Sequence, residues 1–184
     1  MEKKVFGYPK YDDNGEMILT TYENEYRDML MDIRVYKLEK NQTKIFTSDD
    51  EEIAALLLNG KIEINVDGIE KVVSRKSVFL EGPYAGHVSH SKIISVKALE
   101  ETEILVQKTK NKVTFNSKLY TPEDAPWKYS SQGWYGNVAN RRVNTIIDHD
   151  IEPKSNMVLG EVLNDPGNWS GYLPHRHPQP ECYY

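Results

Sequence analysis

Cysteine, long apolar runs and a leader-like segment are scarce or missing in this 184-residue sequence. The single cysteine, Cys182, excludes an intramolecular disulfide. The longest apolar run, Ile53 to Leu58, is far shorter than the roughly 18 residues that a membrane-spanning helix needs. The first residues, Met1 to Pro9, carry charges but no apolar segment of the kind found in signal peptides. We therefore expect a cytoplasmic protein with no membrane partner.

An excess of positive charge is also lacking. Lys and Arg together number 23 and Asp and Glu 28, which gives a net charge of −5. A nucleic-acid binder needs a basic face that neutralises phosphates, and an anionic membrane surface attracts polybasic segments. The charge balance therefore disfavours both kinds of partner.

Short strands separated by turns are the main pattern that is present, and the best helix candidate, Tyr22–Leu30, is only a turn or two long. Apolar and polar residues alternate as in half-buried strands, at intervals typical of a sandwich or barrel. The predicted strands lie at 31–35, 44–47, 53–58, 61–66, 70–73, 77–80, 92–98 and 103–108. We therefore predict an all-β barrel or jelly roll over residues 1–110.

Two dipeptides are typical of tight hairpin turns. Asn59-Gly60 favours a type I′ turn that would pair Ile53–Leu58 with Lys61–Val66, and Asp67-Gly68 would turn the chain again. The acidic run from Ser48 to Glu52 is interpreted as a solvent-exposed entry to the first of these strands.

The composition changes after about Lys110. Residues 111–137 contain prolines, glycines and several aromatic residues without periodicity, and we interpret them as a connector. Strand-like patterns return at Arg142–Ile147, Met157–Leu163 and Glu181–Tyr184. Residues 138–184 are therefore predicted to begin a second β unit, too short to close a barrel by itself.

The closing segment contains the pattern His175-Arg176-His177, followed by Glu181. In a strand, residues i and i+2 point to the same face, so the two imidazoles would converge. A turn at Pro178-Gln179-Pro180 would return the Glu181 carboxylate toward them. Two imidazoles and one carboxylate suit zinc, manganese, iron or nickel. Two solvent-exposed histidines in a proline-rich loop are the alternative.

The residues around this pattern resemble a known family. The stretch from Pro166 to His177, together with Gly160-Glu161-Val162 before it and Glu181 after it, resembles the 5-deoxy-glucuronate isomerase family of myo-inositol catabolism. Asn140–Ile147 is similar to the segment that opens the second barrel in that family. The resemblance is sharp over 138–184 and diffuse over 1–137. It implies a cupin fold, that is, a jelly roll or double-stranded β-helix, with two barrels in tandem.

The resemblance also implies a site. The metal, zinc or manganese with iron or nickel as further options, would be held in the second cupin by His175, His177 and Glu181. A fourth ligand, a histidine on a later strand, would lie beyond Tyr184. Arg141 or Arg142 would bind the carboxylate of a sugar-acid substrate, with Arg176 the weakest candidate. The family reaction is an aldose–ketose type isomerisation, and no residue is assigned as its proton-transfer base.

Two consequences follow for this chain under that interpretation. The second barrel would be incomplete, so we expect weak metal binding and negligible isomerase activity from residues 1–184 alone. Exposed strand edges promote pairing between chains, so we expect a homo-oligomer. The first cupin would hold no metal, with structural or surface roles for His87 and His90.

Two other functions stay open from the sequence. One is a cupin dioxygenase that uses iron on the same two-histidine, one-carboxylate face. The other is a non-enzymatic module that binds sugar acids. Oxygen consumption separates the first from an isomerase, and metal retention against a chelator separates the second.

Overall fold

A computed structural model describes residues 7–171, 175 and 177–184. Within this part of the chain the regular structure is almost entirely β, with a single 3₁₀ turn at Arg27–Met29. No helix among the described residues is long and apolar enough to cross a membrane. The strands are β1 Glu16–Thr20, β2 Met31–Leu38, β3 Thr43–Thr47, β4 Glu51–Val66, β5 Ile69–Arg75, β6 Ala85–Val88, β7 Ile93–Ala98, β8 Thr102–Lys110, β9 Lys118–Tyr120, β10 Lys128–Ser130, β11 Arg141–Ile147 and β12 Leu159–Asn164.

The first nine strands form an antiparallel barrel of two faces. One face has the order β1-β2-β8-β4-β6-β9, and the other has the order β3-β7-β4-β5. Strand β4 belongs to both faces, which joins them along one side. Two antiparallel sheets around one core, linked by a strand that crosses between them, form a jelly roll of the cupin type. The all-β prediction is confirmed.

The interior of this barrel is apolar. Alternate residues of β4, from Ile53 to Leu57 in one face and from Ile62 to Val66 in the other, point inward. They pack against Val88 of β6, Ile94 of β7 and Ile104 of β8, which are all 1% exposed or less. Each Å² of apolar area that this cluster removes from water stabilises the fold by about 25 cal/mol.

The predicted hairpin at Asn59-Gly60 is wrong. Strand β4 runs through this dipeptide without reversing, and its pairing with β8 shifts register between Leu57 and Asn59. Gly60 has a φ of 103° and lies against the backbone of Thr102. A glycine at a bulge commonly marks a barrel corner, where one strand bends from one sheet into the other. The second dipeptide, Asp67-Gly68, does turn the chain, and it joins β4 to β5.

Two other predicted strands are absent at their positions. Residues 77–80 form a turn in which the Ser77 hydroxyl accepts a hydrogen bond from the backbone N–H of Phe79. Serine commonly stabilises turns in this way and competes with strand pairing. Residues 181–184 are irregular, and the Tyr183 side chain is exposed.

A second, three-stranded sheet with the order β10-β11-β12 covers the outer face of the β1-β2-β8-β4-β6-β9 sheet. Ile146 and Ile147 of β11 and Leu159 of β12 pack on Ala54 and Leu56 of β4. The segment 111–137 contributes to both sheets, since β9 pairs with β6 and β10 pairs with β11. The β1-β2-β8-β4-β6-β9 sheet is therefore covered on both faces, by the barrel interior on one side and by the second sheet on the other. The second sheet buries its own apolar residues against the barrel.

Candidate functional site

The three predicted ligands lie next to one another in the closing segment. The Nε2 atoms of His175 and His177 are 2.8 Å apart, and the rings meet edge to face. The Nε2 atom of His177 lies 3.6 Å from Oε1 of Glu181. The Tyr183 hydroxyl donates a long hydrogen bond of 3.4 Å to the other Glu181 oxygen. The side chains stand at the surface, and Arg176 lies outside the described residues.

The types of donor atom fit a divalent cation, because neutral imidazole and carboxylate are ordinary ligands of zinc and manganese. The present spacing is that of a hydrogen bond between His175 and His177. Two imidazole nitrogens on one tetrahedral zinc would stand about 3.3 Å apart. Across residues 7–171, 175 and 177–184, no three His, Cys, Asp or Glu side chains are already arranged to hold a metal. Binding would therefore require the two rings to separate slightly.

Arg141 and Arg142, the predicted carboxylate binders, begin strand β11 and are half-buried. The Arg142 guanidinium lies 5.9 Å from the centre of the Trp127 ring, within cation–π range. The Arg141 guanidinium approaches the backbone carbonyl of Ala139 at 3.5 Å. Each side chain thus has a partner in the segment that precedes β11.

A groove of about 1760 Å³ runs between the first barrel and the closing segment. It is lined by Leu56 and Leu105 of the barrel, by residues of β12, and by Glu181 and Tyr184 of the closing segment. Near Tyr184, the Tyr11 hydroxyl donates a hydrogen bond to the Glu103 carboxylate. Burial, followed by this hydrogen bond, raises the pKa of Tyr11 well above its usual range. The end of the closing segment therefore contacts the first barrel through Tyr184, and Glu181 lines a concave surface.

A buried ion pair on this groove was not predicted from the sequence. Arg75, at the end of β5, is fully buried and forms two hydrogen bonds of 2.7 Å to the two carboxylate oxygens of Glu161 in β12. Asn144 of β11 donates to the same carboxylate and accepts from the Glu161 backbone N–H. The family-like Gly160-Glu161-Val162 was the available signal, but nothing in the sequence pairs it with Arg75.

A second buried carboxylate corrects an expectation. Glu52 belongs to the acidic run interpreted as solvent-exposed, yet its side chain is completely buried. It accepts hydrogen bonds from the Asn156 backbone N–H at 2.6 Å and the Ser155 hydroxyl at 2.9 Å, and its Oε2 lies 3.1 Å from Nε2 of His87. His87 also packs against the Phe115 ring. Because β4 is covered on its outer face by the second sheet, an outward-pointing residue is not a solvated one.

The antiparallel barrel with its apolar interior has the architecture of a cupin protein. The second sheet follows it in the chain, and the two histidines and the carboxylate come after that sheet. Residues 7–184 match the family model of the KduI/IolB family. The chain belongs to this family.

Two curated relatives show the extent of the similarity. The chain is 30% identical over 173 residues to the 5-deoxy-glucuronate isomerase of Geobacillus kaustophilus, which covers 91% of this chain and 59% of that protein. It is 29% identical over 185 residues to the 5-deoxy-glucuronate isomerase of Geobacillus thermodenitrificans, which covers 97% of this chain and 64% of that protein. The chain therefore spans about three fifths of the length of these relatives.

Solved structures are similar in fold. An IolB-like protein from Salmonella typhimurium LT2 superposes with a TM-score of 0.63 at 17% identity, over 75% of this chain and 52% of that one. A protein described as a putative glyoxylate-induced protein from Pseudomonas aeruginosa gives a TM-score of 0.59 at 9% identity, over 86% of this chain and 60% of that one. At such identities the similarity shows the fold alone.

Proposed function

We propose that the protein acts as a metal-dependent isomerase on 5-deoxy-glucuronate in inositol catabolism. The observation that carries this proposal is the match of residues 7–184 to the KduI/IolB family, in which the two relatives described above are named 5-deoxy-glucuronate isomerase. The adjacent imidazoles of His175 and His177 and the carboxylate of Glu181 support it chemically. We further propose that residues 138–184 begin a second cupin that carries the site, and that the protein works in the cytoplasm.

In this proposal His175, His177 and Glu181 hold a divalent metal, with zinc or manganese favoured. When bound, such a metal acts as a Lewis acid that stabilises the negative charge of an enediolate. Arg141 or Arg142 binds the substrate carboxylate through a bidentate contact. A guanidinium stacked on an aromatic ring donates through its edge, so the position of Arg142 over Trp127 is compatible with that role.

Metal binding is the first test. We expect the complete gene product to bind zinc in isothermal titration calorimetry, and His177→Ala to weaken this binding by more than about 100-fold. Loss of a residue that merely supports a ligand already costs about 10–100-fold, and loss of a ligand should cost more. His149→Ala, at an exposed histidine in the turn after β11, is the matched control and should bind zinc as the unmodified protein does. Equal binding by His177→Ala would contradict the proposed site.

Proton exchange is the second test. In a reaction through an enediolate, a base removes a proton from one carbon and returns a proton to the adjacent carbon. Incubation of 5-deoxy-glucuronate in D₂O should therefore exchange hydrogen for deuterium at the carbon next to the aldehyde. We expect NMR to detect exchange and keto product with the metal-loaded gene product, and neither with His177→Ala. Oxygen consumption during the same incubation would indicate a dioxygenase instead. Absence of keto product from a metal-loaded sample would refute the isomerase, and keto product without exchange would refute the enediolate route.

We also propose a homo-oligomer. In the described part of the chain, the second sheet has strands β10 and β12 at its edges. Exposed sheet edges present unpaired backbone groups that favour pairing between chains. Light scattering should give a mass of at least two chains, and a monodisperse monomer would contradict this.

A further inference from the structure

Glu161 stands at the centre of a network that joins the first barrel to the second sheet. Its carboxylate receives two hydrogen bonds of 2.7 Å from Arg75 and one of 2.9 Å from the Asn144 side chain. Its backbone N–H donates to the side-chain Oδ1 of Asn144 at 3.0 Å. One residue of β12 is thus tied to β5 of the barrel and to β11 of its own sheet.

Arg75 is held in place on the barrel side. Its guanidinium also donates to the backbone carbonyls of Leu57 at 2.9 Å and of Glu81 at 2.9 Å. The planar guanidinium presents its donors in a fixed fork, so these contacts leave it one orientation. The position of the fork therefore defines where the Glu161 carboxylate, and with it the middle of β12, can lie.

The energetics point to placement rather than to stability. Transferring two charges from water into a protein interior costs several kcal/mol per ion, and a well-packed apolar pair of similar volume is often as stable or more so. What a bidentate pair provides that an apolar contact does not is a single geometry. The desolvation cost of this network thus offsets much of what it contributes to folding stability. Its single geometry is well suited to fixing the position of β12 on the barrel.

The loop that follows β12 is also tied to the second sheet. The loop after β12 is fixed by two hydrogen bonds, from the Asn168 side chain to the Asn140 carbonyl at 3.0 Å and from the Trp169 N–H to the Val138 carbonyl at 2.7 Å. The groove that Glu181 lines is also lined by Arg75 and Glu161. The network and one candidate ligand, Glu181, therefore share one concave surface.

We infer that Arg75 and Glu161 are positioning residues: the first barrel uses them to place β12, and thereby the segment that carries His175, His177 and Glu181, for metal binding. The inference rests on the metal site of the proposed function. It gives the apolar first barrel a definite part in the chemistry, because the barrel supplies no ligand and yet fixes the geometry of the ligands.

Cobalt(II) is the probe for this inference, because its absorption spectrum reports the geometry of its ligands. The variants are Glu161→Gln, which keeps the shape and removes the charge, and Arg75→Lys, which keeps the charge and removes the fork. Ile94→Val is the matched control, since it also removes stability but lies inside the barrel, away from the network. Urea unfolding measures stability, and titration with cobalt alone measures affinity.

We expect both network variants to weaken cobalt binding by about 10–100-fold and to change its spectrum, as loss of outer-shell support does. Ile94→Val should lose stability and bind cobalt normally. If either folded network variant binds cobalt with unchanged affinity and spectrum, the inference is wrong and the metal site stands. If the unmodified protein binds cobalt no better than His177→Ala, the proposed site fails and the inference with it.

Discussion

Replacing Gly60 by alanine tests how strand β4 passes between the two faces of the barrel. Gly60 has a φ of 103°, a conformation that residues with a Cβ rarely adopt. A Cβ built there would meet the Thr102 hydroxyl and would lie 2.7 Å from both the Glu101 carbonyl oxygen and the Thr102 Cα. Two of these three atoms are backbone atoms, one in the first residue of β8 and one in the residue before it. Moving a single flexible side chain therefore cannot relieve the contact.

Gly68 is the matched control for the magnitude. Its φ of 94° is similar, but a Cβ built there has no neighbour within 4 Å. Gly68→Ala should therefore lower the free energy of unfolding only by the cost of this backbone conformation, about 1–2 kcal/mol. Gly60→Ala should lower the free energy of unfolding by that cost and by the cost of overpacking, about 1–3 kcal/mol more. For a chain of this size, a difference of about 2 kcal/mol corresponds to about 4–8 °C in Tm.

Urea unfolding of the two variants and the unmodified protein provides the assay. We expect the free energy of unfolding to fall clearly further for Gly60→Ala than for Gly68→Ala, with similar m-values for all three. Equal losses would refute the reasoning. They would mean that Gly60 faces open space, as it would at the tip of an Asn59-Gly60 hairpin.

Two further predictions concern charged side chains. Glu52→Gln should lower the free energy of unfolding by about 2–3 kcal/mol in urea, because the buried carboxylate accepts from Asn156 and Ser155 beside His87; a change below about 0.5 kcal/mol would contradict this. The hydrogen bond from Lys92, followed by that from Ser117, lowers the pKa of Asp67, so its ionised form stabilises the folded state above the ordinary value of 3.8, and this stabilisation is lost as pH falls through the lowered value. Asp67→Asn keeps a residue type that favours turns. The free energy of unfolding of this variant should therefore fall less steeply at acid pH than that of the unmodified protein, and an equally steep fall would contradict this.

The candidate ligands show what kind of pattern a sequence displays directly. The spacing of His175, His177 and Glu181 is local, so the residue types and their order are legible without a fold. The buried partners are different, because Arg75 and Glu161 are separated by 86 residues and Glu52 and Asn156 by 104. No local pattern relates residues so far apart, and an acidic residue in a charged run is ordinarily exposed.

The sequence by itself determined the elements whose causes are local. Alternation of apolar and polar residues predicted strands that the structure contains, including Ile93–Ala98 and Arg141–Ile147. Asp67-Gly68 determined a hairpin because both residues tolerate positive φ and nothing else competes for them.

Only the tertiary structure decided what the equally turn-like Asn59-Gly60 does. Its neighbours pair with two different sheets, β8 on one side and β5 on the other, and the gain from burying both halves of β4 in one core exceeds the local preference to reverse. The same reason explains the buried carboxylates: the second sheet covers the outer face of the barrel, and burial is a property of that packing rather than of the residues themselves.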